Sequence, residues 1–191
     1  SISLLPANRK PARLFFEPQS RCLLLQARCE EPKGVPFELY SRNLGESTYK
    51  RIVFESRDLS VKDVLVISGQ ASAFISITKW ANGAGVFWGL YELNLNSITC
   101  SRRIFKSDLQ LPKSFDSVSV PCLLESDRDG QLLVCVAGLK RNKKLIGYFL
   151  AEIDTVSFKL STVDSLQSRL DEELLNVVRT QPWFSVSDLF G

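Results

Sequence analysis

The chain has 191 residues, of which 45% are hydrophobic and 24% charged, and its formal net charge is +3. This length suffices for one domain that buries most of its apolar surface, and the composition excludes a mainly disordered chain. Histidine is absent, which excludes it as a general base and excludes every metal site built on it. Because methionine is absent as well, we expect a segment of a longer protein, a processed chain or an engineered one.

The first 60 residues have the pattern of short strands joined by turns. Apolar or alternating runs at Cys22–Arg28, Val35–Ser41 and Tyr49–Glu55 predict three strands, and Leu14–Glu17 predicts a shorter one before them. Glu30–Gly34 has the composition of a turn. The β-branched and aromatic content, with turn residues at intervals of roughly 8 to 12, favours strands over helices.

The same pattern recurs 51 residues further along. Residues 21–54 align with residues 72–105 without a gap, and nine of these 34 positions are identical. The pairs include Gly34 with Gly85, Leu39 with Leu90, Tyr40 with Tyr91 and Asn43 with Asn94, while Phe37 falls on Trp88. A period of this size predicts an array of supersecondary units.

A third, more divergent copy follows. Leu133–Val136 falls on Phe74–Ile77, and Glu152–Asp154 falls on Glu92–Asn94 after a one-residue adjustment in the loop. With further strand candidates at Asp63–Ser68 and Ser119–Glu125, each unit contains four antiparallel strands. The sequence therefore predicts an all-β domain over 1–163, with units at about 13–58, 59–107 and 117–163.

These units resemble the blades of β-propellers, in particular kelch-type and F-box-associated blades. The resemblance rests on the repeated four-stranded unit and on the pattern aromatic-x-Leu-Tyr-x-x-Asn-Leu at 37–44, and it covers roughly residues 13–164. It implies a propeller-like architecture and carries over no catalytic or ligand-binding residue. Three or four units are few for a closed propeller, so the chain is part of a larger propeller, or else a sandwich or barrel.

The C-terminal segment, 164–191, departs from the strand pattern. Apolar residues at 163, 166, 170, 174, 177 and 178 predict an amphipathic helix that ends before Pro182. The helix packs on the strands or binds a partner. The tail that follows packs on its own domain or docks into another protein, and its candidate partner-binding residues are Trp183, Phe184, Leu189 and Phe190.

A basic cluster lies between two apolar runs in the third unit. Its members are Lys140, Arg141, Lys143 and Lys144. A solvated hairpin tip is the simpler interpretation, and a contact for phosphate or an acidic partner is the functional one.

Cysteine usage and apolar runs suggest a compartment. The chain has five cysteines, an odd number, and no two of them form a C-x-x-C pair. Because they lie in apolar runs, we expect buried, reduced thiols. No apolar run approaches the roughly 20 residues of a membrane span, and the N-terminus does not resemble a signal peptide. These features predict an intracellular chain, cytoplasmic or nuclear, without a membrane span.

The sequence contains none of the common catalytic motifs. Neither a phosphate-binding loop, nor a dinucleotide fingerprint, nor a nucleophile elbow is present. Asp127–Gly130 resembles the start of a calcium loop but lacks the later ligands, so a tight turn is expected there. We therefore expect no metal, no cofactor and no enzymatic activity, and the first hypothesis is a non-catalytic scaffold that binds other subunits of an intracellular complex.

Two alternatives stay open at this stage. A carboxylate-based hydrolase remains possible because paired carboxylates need no histidine. The chain could instead bind nucleic acid or a phosphate-bearing ligand through basic residues and aromatic residues on repeated strands, although aromatics at repeated positions usually belong to the core. The candidates are Lys50, Arg51, Arg102, Arg103 and Lys159, with Tyr40, Trp80, Trp88 and Tyr91.

Overall fold

The computed structural model describes residues 5–31, 34–67, 69–81, 84–105, 117–118, 122–125, 132–141, 144–157 and 159–163. Within these ranges every regular element is a β-strand, which confirms the all-β prediction. The helix predicted after residue 163 and the apolar tail lie outside the described residues. The chain forms two compact units, Ser1–Arg103 and Ile104–Gly191.

The first sheet, sheet 1, is an antiparallel meander of four strands. It consists of β1 (Arg9–Glu17), β2 (Cys22–Cys29), β3 (Phe37–Asn43) and β4 (Lys50–Ile52), paired in that order. The short strand predicted at Leu14–Glu17 is the second half of β1. The first repeat unit is therefore a complete sheet that begins earlier than predicted.

Sheet 2 repeats the same order. Its strands are β5 (Leu59–Ile67), β6 (Ser72–Ala81), β7 (Ala84–Asn94) and β8 (Thr99–Phe105). Like β1, its first strand has a register shift early in its length. The shifts fall between Pro11 and Arg13 in β1 and between Val61 and Asp63 in β5, which are 50 residues apart.

Sheet 3 has the same core order with one additional short strand. Its strands are β9 (Ser117–Val118), β10 (Cys122–Glu125), β11 (Leu132–Arg141), β12 (Lys144–Asp154) and β13 (Leu160–Val163). Strands β10 to β13 pair in order, and β9 pairs with β11 near the far end of that strand. The three repeats predicted from sequence are thus three antiparallel sheets.

The strand registers correct the repeat alignment by one residue. Phe37 pairs with Arg28, and Phe87 pairs with Thr78, so Phe87 rather than Trp88 is the equivalent of Phe37. The register of β7 skips Trp88, which is an extra residue at a β-bulge. The offset between the repeats is therefore 50 residues up to this point and 51 beyond it, so the ungapped alignment at 51 misplaced β2 and the start of β3 by one position.

A turn geometry recurs between the first two strands of sheets 1 and 2. Arg21 and Ala71 both have positive φ, at 55° and 47°. In each sheet the carbonyl of this residue accepts a hydrogen bond from the amide of the first residue after the third strand. Leu44 N lies 2.9 Å from Arg21 O, and Leu95 N lies 2.8 Å from Ala71 O. The two turns are therefore structural equivalents.

The turn after the third strand is also repeated. Asn94 Oδ1 accepts the amides two and three residues ahead, at 2.9 and 3.1 Å. Asp154 Oδ1 does the same in sheet 3, at 3.0 and 2.6 Å. Asn and Asp are favoured at such turns because their side chains cap the backbone amides. This confirms the predicted alignment of Asp154 with Asn94.

Sheets 1 and 2 pack face to face around a single apolar core. Alternating side chains of β2 and β3 in sheet 1 meet those of β5, β6 and β7 in sheet 2. The core includes Cys22, Leu24, Leu39, Val61, Val64, Ile75, Ile77, Tyr91 and Leu93, each at most 2% exposed.

Polar contacts fix the position of β5 against sheet 1. Gln26 is fully buried, and its Nε2 donates to the carbonyl of Val61 at 2.9 Å. Arg13 Nη1 lies 2.7 Å from Asp63 Oδ1, at the equivalent position on the neighbouring first strand. Because buried polar groups favour the arrangement that satisfies them, these contacts set the register between the two sheets.

Candidate functional site

A cavity of about 330 Å³ lies at the end of sheet 1 where β1 begins and where the chain passes from β4 to β5. It is lined by Arg9, Glu31, Gly34, Val35, Glu38, Arg51, Arg57, Asp58 and Trp80. Three arginines and three carboxylates therefore surround one space, together with an indole. Loops held by rigid sheets are frequent places for binding sites.

Glu38 is the centre of the charge network beside this cavity. Its side chain is 4% exposed, and its Oε2 accepts Arg9 Nε at 2.6 Å and the Tyr40 hydroxyl at 2.6 Å. Its Oε1 accepts Arg9 Nη2 at 3.2 Å and lies 3.0 Å from Arg51 Nη2. Arg9 thus binds the carboxylate with two nitrogens, the strongest geometry for this pair.

The strand geometry explains why these side chains meet. Glu38 and Tyr40 are two residues apart on β3 and so lie on one side of the sheet. Arg51 is the β4 partner of Tyr40, and Arg9 begins β1, which lies on the other side of β2 from β3. Arg9 also reaches Glu31 Oε1 at 2.8 Å with its Nη1. All three guanidinium nitrogens of Arg9 therefore bond a carboxylate, and Nη1 also donates to the carbonyl of Asn8 at 3.4 Å.

The network holds Glu38 in its ionised form. Burial raises the pKa of Glu38, but hydrogen bonds from Arg9 and Tyr40 and the charge of Arg51 outweigh it, so the pKa lies below the ordinary value of 4.5. Burial and the hydrogen bond to Glu38 raise the pKa of Tyr40 to about 12. Glu38 is therefore suited to orient the arginines and not to donate a proton.

The lowered pKa of Glu38 predicts a loss of stability in acid. Its stabilising contribution is fully present above the ordinary value of 4.5 and is lost as the pH falls through the lowered pKa. Glu17 should contribute to the loss of stability in acid in the same way. Burial raises its pKa, but hydrogen bonds from Ser20 and from the amides of Gln19 and Gly69 outweigh this and lower the pKa. We expect denaturant unfolding between about pH 6 and pH 3 to show a smaller loss of stability for Glu38→Gln than for the unmodified chain. An equal loss in both would contradict this role of Glu38.

A close backbone approach shapes one wall of the cavity. A Cβ on Gly34 would lie 2.6 Å from Cys29 Sγ, so only glycine fits there without a shift. The amide of Gly34 donates to the carbonyl of Glu31 at 3.0 Å, and Val35 beside it is buried. The turn between β2 and β3 thereby presents the Glu31 carboxylate at the cavity.

Other groups at the cavity are open to a ligand. The side chains of Glu31, Asp58 and Arg51 are 50%, 39% and 32% exposed. Arg57 is exposed and has no hydrogen bond or ion pair among the residues that the structure describes. Trp80 is half-buried, and its amide donates to the carbonyl of Asp58 at 2.8 Å, which ties the end of β6 to the start of β5.

The structure places the predicted partner-binding residues only in part. Lys140 and Arg141 end β11 and Lys144 begins β12, with Arg141 paired to Lys144, so the basic cluster is a hairpin tip as predicted. Lys143 lies outside the described residues, as do the four candidate residues of the tail. Binding of partners through either group stays a prediction.

Of the residues proposed for nucleic-acid binding, Arg51 and Trp80 line the same cavity, whereas the two tyrosines lie in apolar cores. Tyr40 and Tyr91 are 2% and 1% exposed, so they cannot stack on bases. Lys50 Nζ lies 2.8 Å from Glu46 Oε1, whereas Arg51 lies in the cavity.

The cysteines were predicted to be buried. Cys22 and Cys29 are buried, but Cys100 is exposed, contrary to that prediction.

Metal and membrane features were searched in the described part of the chain. No group of three His, Cys, Asp or Glu residues there could hold a metal ion. None of the described residues forms a helix with the length and apolar character that crossing a membrane requires.

Comparison with solved structures identifies proteins of similar fold. An oligogalacturonate lyase in complex with manganese matches with a TM-score of 0.53 and 12% identity, over 85% of this chain and 43% of the lyase chain. An α-L-arabinanase of Penicillium chrysogenum complexed with arabinobiose and an α-L-arabinofuranosidase of Fusarium graminearum match with TM-scores of 0.45 and identities of 12% and 15%. The arabinanase match covers 85% of this chain and 51% of the arabinanase chain. The arabinofuranosidase match covers 86% of this chain and 50% of the arabinofuranosidase chain. Comparison with protein families and with curated proteins finds no match.

The fold is therefore of the propeller type. The repeated antiparallel sheets and the likeness to the lyase support this architecture, and the chain spans less than half of that lyase. The described residues do not fit the manganese of the lyase, because they contain no cluster of suitable ligands.

The predictions of a non-catalytic scaffold and of no enzymatic activity are corrected by this comparison. The oligogalacturonate lyase, whose fold this chain resembles, is an enzyme, so propeller-like units do not by themselves indicate a scaffold without catalysis. The absence of histidine and of local catalytic motifs does not exclude an enzyme. Carboxylates can carry acid–base chemistry without histidine, and a site assembled from several sheets leaves no compact motif in the sequence.

Proposed function

We propose that the chain is part of a propeller-fold enzyme that acts on oligosaccharides bearing carboxylate groups, and that the cavity beside Glu38 binds one acidic sugar ring. The observation that carries the proposal is the set of three arginines and one half-buried tryptophan around a single cavity. The likeness of fold to a lyase of oligogalacturonate supports the same substrate class.

Arg51 and Arg57 would bind the carboxylate of the sugar. Arginine suits this task because its planar guanidinium pairs with a carboxylate through two parallel hydrogen bonds. The contact of Arg51 with Glu38 involves its Nη2. Arg57 has no partner within the described residues, so its charge is available at the rim of the cavity.

Trp80 would provide the apolar surface for the ring. One face of a pyranose carries mainly C–H groups and packs against an indole, which combines an apolar body with a polar N–H. The half-exposed state of Trp80 leaves part of its ring accessible. This arrangement of one aromatic surface with a few charged groups is typical of small-ligand sites.

Glu31 and Asp58 are the carboxylates that a bound sugar could reach, since their side chains are 50% and 39% exposed. They are the candidates for accepting a proton, since the hydrogen bond from the Ser56 hydroxyl lowers the pKa of Asp58 and favours its ionised form, while Glu38 keeps Arg9 and Arg51 in position. In this proposal the three sheets are three blades over 1–163, joined to the segment 164–191, and residues of the first two blades line the cavity.

Calorimetric titration with trigalacturonate tests the role of Arg57. Replacing it with alanine is expected to weaken binding by about tenfold or more, because a hydrogen-bonded ion pair is lost. Arg21→Gln is the matched control, since it removes an exposed positive charge at the opposite end of sheet 1, and it should bind like the unmodified chain. Equal affinity in the chain and in Arg57→Ala would refute the proposed contact.

Product masses identify the reaction. Elimination splits an oligogalacturonate without adding water, whereas hydrolysis adds one water to the products. Incubation of the chain with the oligosaccharide followed by mass spectrometry therefore distinguishes a lyase from a hydrolase. Intact substrate after incubation with a chain that binds it would show binding without catalysis.

A further inference from the structure

Arg42 is a half-buried cation of sheet 1 that has no anionic partner. It lies on β3, two residues after Tyr40 and on the same side of the sheet. Its guanidinium lies 4.9 Å from the centre of the Tyr49 ring and has no hydrogen bond or ion pair within the part of the chain that the structure describes. A partly buried charge without compensation costs free energy, and an anionic ligand would compensate it.

The repeat shows that this arginine takes the place of a core residue. Arg42 pairs with Leu23 in sheet 1, and Leu93 pairs with Ala73 in sheet 2, so Arg42 and Leu93 are equivalents. Leu93 is fully buried in the core between the two sheets. A leucine suits a position that another sheet covers, whereas an arginine at the same position suits contact with water or with an anion.

Arg42 lies near one of the arginines that line the cavity beside Glu38. Arg51 pairs with Tyr40, so Arg42 is its diagonal neighbour across β3 and β4. Diagonal neighbours on one face of a sheet are about 7–8 Å apart, which is within reach of long side chains. The two arginines can therefore contact successive groups of one elongated ligand.

Apolar side chains beside Arg42 provide a surface for a sugar ring. Phe16, Leu23 and Arg42 form one row across β1, β2 and β3. The side chain of Phe16 is 48% exposed, and Leu23 is half-buried. An aromatic ring near an arginine is also what Trp80 and Arg57 provide at the cavity. Both places thus combine an apolar surface with a cation.

We propose that Arg42 binds the carboxylate of a second sugar ring, so that the site takes an oligosaccharide with acidic groups on more than one ring. This inference rests on the proposed function, because it extends the site from the cavity along the same face of sheet 1. Arg51 and Arg57 would hold the ring in the cavity, and a further ring would lie over Leu23 beside Phe16. Arg42 thus sets the preferred length of the substrate and takes no part in the reaction.

Calorimetric titrations with galacturonate and with trigalacturonate test the proposal. We expect the unmodified chain to bind trigalacturonate at least about tenfold more tightly than galacturonate, because the longer ligand forms a second charged hydrogen-bonded pair. In Arg42→Gln this advantage of the longer ligand should fall by about tenfold, while the affinity for galacturonate stays unchanged. A purely structural role of Arg42 would instead weaken the binding of both ligands.

Two further variants serve as controls. Arg28→Gln removes an exposed arginine from β2 at an odd number of positions from Leu23, hence on the opposite side of sheet 1, and should keep the full advantage of trigalacturonate. Arg42→Lys keeps the charge without the planar guanidinium and should lose less of the advantage than Arg42→Gln. Circular dichroism checks that the variants keep their strands.

The outcomes distinguish this inference from the proposed function. A loss of the advantage of trigalacturonate in Arg42→Gln, with galacturonate binding unchanged, supports the inference. Equal affinity of the unmodified chain for the two ligands, or an Arg42→Gln variant that weakens both equally or neither, overturns it. The proposed function survives that result if Arg57→Ala weakens both ligands. Binding of neither ligand by the unmodified chain overturns the proposed function and this inference together.

Discussion

Replacing Glu38 with alanine is expected to lower the free energy of unfolding by about 3–5 kcal/mol, because removal of one member of a buried ion pair leaves its partners without compensation. Arg9, with 12% of its side chain exposed, would lose both bonds to the carboxylate. The hydroxyl of Tyr40 would lose its acceptor at 2.6 Å. Urea unfolding followed by tryptophan fluorescence measures the change.

A surface ion pair provides the control for this prediction. Lys10 Nζ lies 2.6 Å from Glu30 Oε1, with 70% and 43% of the two side chains exposed. Glu30→Ala removes the same type of carboxylate and should change the stability far less, since exposed pairs are screened by water. If Glu38→Ala proved no more destabilising than Glu30→Ala, the buried network would not hold this end of the sheet together.

Replacing Ile75 with alanine is expected to cost about 2–5 kcal/mol of stability, and replacing it with valine about 0.5–1.5 kcal/mol. Ile75 is fully buried on β6, in the core that joins sheets 1 and 2. The alanine variant loses three methyl or methylene groups and leaves a cavity that the two rigid sheets can close only in part. Chemical denaturation of the three proteins gives the series.

Val53→Ala is the control for the core series, because Val53 is 59% exposed. Its stability should stay within about 0.5 kcal/mol of that of the unmodified chain. A loss for Ile75→Ala as small as for Val53→Ala would mean that the two sheets are not stabilised by a common core.

Much of the fold could be predicted from local patterns. The apolar run Cys22–Arg28 predicted a strand, and β2 is found there. The asparagine repeated at the end of the third strand is followed by a turn, which its side chain caps in sheet 2. The register could not be predicted in full, because an ungapped comparison cannot locate an inserted residue. Trp88 is that residue, and its bulge is defined only by the pairing of β6 with β7.

The candidate site could be predicted only in part, because its members are far apart in the sequence: Arg51 and Trp80 were among the candidates for ligand binding, but the pair of Arg9 and Glu38 was not. Arg9 and Glu38 are separated by 29 residues and belong to different strands. One local signal was available, since Glu38 lies between Phe37 and Leu39 in an apolar strand. A carboxylate in such a run is buried and therefore needs a cationic partner. The sequence alone offered several arginines and no means of choosing between them.

Two calorimetric titrations test whether the cavity prefers a ligand that carries a carboxylate. Calorimetry compares trigalacturonate with its fully methyl-esterified form, which has the same rings and linkages without the charges. We expect the free acid to bind and its binding to weaken with added salt, because it depends on ion pairs. We expect the ester to bind at least about tenfold more weakly, which corresponds to the loss of one charged hydrogen bond. Equal binding of the two forms, or no binding of either, would contradict it.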